Sequence, residues 1–141
     1  MRDIEIIPNT SVGHIKIGDS VNRYLNDKYV YFKKDINDEY MEDYYEFLDP
    51  PLIVFVNKSN RITTINCKVR CVWKDKNLIG LSLGEFIELS GKEPDSNEEI
   101  YVLLAYNKGQ KQSVYSFEEL GMQIWTWKNK IVTVSCTNYD I

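Results

Sequence analysis

Two stretches, Leu48–Cys67 (LDPPLIVFVNKSNRITTINC) and Glu118–Cys136 (EELGMQIWTWKNKIVTVSC), decide how this chain is read. Laid over one another with one residue deleted at the turn, they pair Lys58 with Lys128, Thr64 with Thr133 and Cys67 with Cys136. Just upstream, Tyr45 and Phe47 pair with Tyr115 and Phe117. Each stretch is an apolar or aromatic run, a polar turn and a β-branched run, which is the pattern of a β-hairpin. Its recurrence in the same order marks an internal duplication.

Further out, Ile15-Lys-Ile-Gly-Asp19 falls over Leu81-Ser-Leu-Gly-Glu85 at an offset of 66. After each copy a short helix is predicted. Asp19 or Ser20 can cap one through about Asn26, because a side-chain oxygen there accepts a free first-turn N–H; Glu85 begins another that ends near Gly91. Strands are predicted at Tyr29–Lys33, Tyr44–Leu48, Leu52–Val56 and Arg61–Val72, with counterparts at Ile100–Tyr106, Ser113–Phe117, Met122–Trp127 and Lys130–Cys136. Turns fall at Asn57–Asn60 and Trp127–Lys130. The expected fold is α+β: a single domain over 1–141 built of two repeats, about 1–74 and 75–141. Each repeat is a helix followed by an antiparallel meander, and the two form one continuous twisted sheet with the short helices on one face.

Comparing the copies assigns the faces, since side chains alternate along a strand and a core position stays apolar in both halves. Leu52/Met122, Val54/Ile124, Ile65/Val134, Cys67/Cys136, Tyr45/Tyr115 and Phe47/Phe117 are expected to face the core. Ile53/Gln123, Phe55/Trp125, Asn57/Trp127 and Glu46/Ser116 change character and are expected to face away. Phe55, Trp125 and Trp127 then lie on a sheet face that the helices leave open.

At 43% hydrophobic and 27% charged, the composition is that of an ordinary globular domain. There is no apolar run of the roughly 18 residues a membrane span needs, and no signal-peptide pattern at the start, so a cytoplasmic protein is expected. Cys67, Cys71 and Cys136 suit a reducing compartment as structural thiols, the first two a buried pair. The net charge of −4 recommends neither nucleic acid nor an anionic membrane as partner. That charge is concentrated: Asp35, Asp38, Glu39, Glu42, Asp43, Glu46 and Asp49 occur with no base between them, and the rest of the chain sums to +3.

The unit IKIGDSV, then YEF, then a hairpin ending RITTINC resembles the repeat of the SmpA/OmlA and β-lactamase inhibitor protein superfamily. The resemblance implies a tandem helix-plus-sheet pair whose sheet surface grips another protein, with aromatic side chains prominent in the grip. By its small, acidic type the chain is also similar to the immunity proteins of contact-dependent growth inhibition and related bacterial toxin systems.

No catalytic motif accompanies this pattern. His14 is the sole histidine, without a nucleophile elbow; the glycines form neither GxGxxG nor GxxxxGK[ST]; Cys67 and Cys71 lack zinc-site spacing. No metal, cofactor or enzymatic activity is expected. The expected function is that of an immunity protein occluding a cognate toxin, most plausibly a basic nuclease, whose phosphate-binding Lys and Arg an acidic surface would engage and steer. Asp35, Asp38, Glu39, Glu42, Asp43 and Glu46 would supply charge, and Tyr40, Tyr44, Phe55, Trp125 and Trp127 would anchor the contact. The competing readings are a small hydrolase using paired carboxylates of the same segment and a non-catalytic scaffold or envelope-assembly module.

Overall fold

The computed structural model describes residues 3–33, 42–105 and 108–139. Its main layer is an antiparallel sheet of eight strands: β4 (Tyr29–Phe32), β5 (Asp43–Leu48), β6 (Pro51–Val56) and β7 (Ile62–Cys67) from the first half, and β10 (Ser96–Ala105), β11 (Lys108–Phe117), β12 (Met122–Trp127) and β13 (Lys130–Thr137) from the second. They lie in the order β10-β11-β12-β13-β7-β6-β5-β4, so each half is a meander and the last strands of the two halves meet at the centre. Along that seam Val134 pairs with Cys67, Ser135 with Asn66 and Cys136 with Ile65. Ile65 and Val134, and Cys67 and Cys136, are the sequence equivalents, so a pseudo-two-fold passes through the Asn66–Ser135 pair. Each half also breaks register at the same place, between Phe55 and Val56 and between Trp125 and Thr126.

The second layer corrects the α+β expectation. Helices do not cover the sheet; a small five-stranded sheet does much of the work, and the molecule is mostly β. Its strands are β1 (Ile4–Ile7), β2 (Ser11–Val12), β3 (Ile15–Lys16), β8 (Cys71–Trp73) and β9 (Lys76–Asn77), in the order β3-β2-β1-β8-β9, with β1 and β8 parallel. The predicted strand Arg61–Val72 is therefore two strands in two sheets. Arg70 takes a left-handed φ of 43°, and the chain leaves the large sheet after Cys67 to enter the small one at Cys71. These two cysteines are a disulfide with Cα atoms 6.1 Å apart rather than a thiol pair. It ties the two sheets, and cysteine usage then no longer argues for a reducing compartment.

Only one of the two predicted helices is an α-helix. Helix α1 (Leu83–Ser90) opens on a capping box: Glu85 N–H donates to Ser82 Oγ, and Ser82 N–H to the Glu85 carboxylate. It ends at Gly91 in the left-handed region, φ 70°. In the first half Val21–Tyr24 forms a single 3-10 turn, capped by Ser20. Asn, Asp and a β-branched Val in VNRYLND carry less helix propensity than the Leu and Glu of LGEFIELS.

These pieces also move the repeat alignment. Gly18 N–H donates to Ile62 O and Gly80 N–H to Ile131 O, both at 2.8 Å; Ile62 N–H returns to Asp19 O and Ile131 N–H to Leu81 O. Ile62 and Ile131 are equivalent across the hairpins. Gly18-Asp-Ser-Val21 thus matches Gly80-Leu-Ser-Leu83, an offset of 62 rather than 66, with left-handed glycines at φ 92° and 94°.

Core residues come from both layers. Ile4, Ile6, Val12, Ile15, Val21, Leu78 and Phe86 of the covering layer pack on Phe47, Leu52, Val54, Ile65, Phe117, Met122, Ile124 and Val134 of the large sheet. Phe86 sits edge-on to Phe117 at 4.8 Å and is tilted against Trp73 at 5.8 Å. Cys67, Cys136 and Tyr45 point inward as well, while Tyr115 packs against the core partly exposed.

Candidate functional site

Alternation along the strands puts Val30, Phe32, Tyr44, Glu46, Ile53, Phe55, Asn66, Trp125 and Ser135 on the face of the large sheet opposite the small one. In its first half, direct cross-strand pairing sets Phe32 beside Tyr44 and Tyr44 beside Phe55. The rings form a ladder over three strands: Phe32 stacks on Tyr44 with centroids 4.8 Å apart and planes 10° apart, and Tyr44 is tilted against Phe55 at 5.4 Å. Such contacts fix the ring orientations. Phe32 and its strand neighbours are exposed; Tyr44 and Phe55 are half-buried.

Acids flank this ladder. Glu42 accepts a hydrogen bond from the Thr63 hydroxyl at 2.9 Å, which orients its carboxylate, and Glu46 is exposed two residues beyond Tyr44. On the opposite face of the same strands, Asp43 accepts from the Tyr31 hydroxyl at 2.8 Å. That bond to a carboxylate, more than burial, pushes the Tyr31 phenol above its usual pKa. Beside Glu46 a cavity of about 260 Å³ opens, lined also by Leu48, Ile53, Asn66 and Lys68.

Of the expected site residues, Asp35, Asp38, Glu39 and Tyr40 lie outside the described residues. Glu42, Tyr44, Glu46 and Phe55 come together on the open face of the first half; Asp43 has the parity of Tyr45 and Phe47 and lies on the opposite face of the strand, with Tyr31. Trp125 and Trp127 share the face but not the place. Phe55 and Trp125 are related by the pseudo-two-fold, three strands and four residues apart along the seam, roughly 20 Å by sheet spacings. Trp125 is also committed internally: its indole N–H donates to Ser135 Oγ at 3.1 Å, and Ser135 Oγ donates to Asn66 Oδ1 at 2.6 Å. It pairs across the ladder with Val114, which is buried on this same face. Trp127 is more exposed and carries Lys128 Nζ 4.5 Å above its ring. The tryptophans therefore finish the second half's surface, and the ladder with its acids is the candidate site.

Phe32 is the member of the candidate site that sequence reasoning missed. Its signal was available, because it shares the parity of Tyr44 and Phe55 once β4 and β5 are paired. His14 is engaged at the surface, its Nε2 2.9 Å from Asp27 Oδ2 and its ring edge-on to Tyr24. Among the described residues there is no group of three or more His, Cys, Asp or Glu placed to hold a metal, and no helix is long and apolar enough to cross a membrane. No family model, no characterised protein and no solved structure matches this chain.

Proposed function

We propose that this chain is an immunity protein that binds a cognate bacterial toxin, a basic protein such as a nuclease, through the open face of its first half. The observation that carries the reading is the Phe32–Tyr44–Phe55 ladder flanked by Glu42 and Glu46. Preordered aromatic rings supply contact area at low entropic cost, and hot spots of protein interfaces are built from such anchors. Acids at the rim suit a partner that must present Lys and Arg to phosphate, and they accelerate its approach. Asp35, Asp38 and Glu39, adjoining in sequence, would add to the same field.

The test is co-expression with the product of the adjacent upstream gene. The expected result is that this product arrests growth alone, is neutralised by the chain, and co-purifies with it in a complex that weakens with salt. A harmless neighbour that forms no salt-sensitive complex would overturn the reading.

A further inference from the structure

Strand β4 ends the large sheet, and among the described residues no strand pairs with its outer edge. Leu48 N–H donates to Lys28 O, so in the antiparallel β4–β5 ladder the even-numbered residues of β4 turn their backbone groups toward β5. Tyr29 and Tyr31 turn their N–H and C=O groups outward. Free edges are ordinarily blunted by charge, proline or a covering segment. The other edge strand, β10, carries Glu98 and Glu99 in its first half, while Tyr101, Leu103 and Leu104 of its second half are 58–73% exposed. In β4 the run Tyr29-Val30-Tyr31-Phe32 has no charge, and all four residues are exposed by 36–46%.

We infer that β4 is a homodimerisation edge, pairing antiparallel with β4 of a second copy about a two-fold axis at Val30. The outward groups make this edge complementary to itself. Antiparallel hydrogen bonding requires an outward residue opposite an outward residue. Setting Tyr29 of each copy against Tyr31 of the other uses both tyrosines of both copies, for four backbone hydrogen bonds. Val30 then faces Val30 of the second copy in the closer, non-hydrogen-bonded type of pair. Charge agrees with this register: exposed Lys33, one residue past the strand in each copy, falls opposite Asp27 of the other, two residues before it, whose part-exposed carboxylate also meets His14. A foreign strand would need to reproduce that pattern, whereas a second copy has it already. The pairing continues the sheet through both molecules and leaves their aromatic ladders open on one face, so it does not depend on the toxin-binding reading.

Sedimentation equilibrium of the full chain over a concentration series tests it, using wild type, Val30→Lys and Val30→Glu. Val30 is 45% exposed, and circular dichroism checks that each variant stays folded. Wild type is expected to show a concentration-dependent monomer–dimer equilibrium. Each variant alone is expected to lose at least tenfold in association constant through like charges at the axis, and an equimolar mixture of the two to recover the dimer. A wild type that remains monomeric throughout, variants that dimerise like wild type, or a mixture that stays monomeric would each overturn the proposal.

Discussion

Cys136 shows how a single residue's surroundings decide its chemistry. It lies on the inner face of β13, 2% exposed, and burial pushes its thiol up to about 12. At neutral pH it holds almost no thiolate, the species that reacts. Cys67 and Cys71 are consumed in their bond to each other. A thiol reagent is expected to label no cysteine in the native protein, one after unfolding without reductant, and three after unfolding with it, read by mass spectrometry. Two additional labels in the non-reduced unfolded chain would contradict the disulfide. The bridge closes only a short loop, so its reduction is expected to cost about 2 kcal/mol in the chain-entropy account, measured by urea unfolding with and without reductant. The cysteines' inward direction was legible from strand alternation, because Cys67 and Cys136 keep the parity of Ile65 and Val134. Their bonding was not, because it depends on a change of sheet between Cys67 and Cys71 that no local pattern announces.

Ser20 and Ser82 occupy matching places, each following Gly-x at the start of a helical element, yet the elements differ in weight. Ser82 Oγ accepts at 3.1 Å within a reciprocal capping box that opens two turns of helix carrying the buried Phe86. Ser20 Oγ accepts at 3.3 Å at the head of one 3-10 turn. Ser82→Ala is expected to cost about 1 kcal/mol, and Ser20→Ala clearly less, compared through urea midpoints at constant slope. Equal costs would mean the two turns contribute alike. The same elements show where sequence comparison slipped. Gly84 matches Gly18 in the pattern apolar, polar, apolar, Gly, acid, but Gly84 lies inside α1. Gly80 is the residue that shares Gly18's left-handed backbone and its hydrogen bond to the hairpin. The hairpins carried no such ambiguity, since a one-residue slip there would expose the whole core face.

For the molecule as a whole, the large sheet was legible and its cover was not. Eight strands of four to ten residues with period-two patterning announce themselves twice over; β2, β3 and β9 have two residues each and therefore no period. Ile4–Ile7 reads as a short apolar cluster, and only its pairing beside β8 makes it a layer of the core. The face left open followed from which positions differ between the halves. What sequence could not supply was distance: Phe55 and Trp125 are equivalent residues on one surface, and their equivalence is what holds them apart across the pseudo-two-fold. The proposed binding is accordingly placed on one half. The most direct measurement is the association and dissociation kinetics of the upstream gene product with wild type, Glu46→Lys and Phe55→Ala, each variant verified as folded. Glu46→Lys is expected to slow association at low salt and lose that effect at high salt, while Phe55→Ala is expected to speed dissociation about tenfold or more, as loss of an interface anchor does; rates unchanged in both variants would contradict binding at the aromatic ladder.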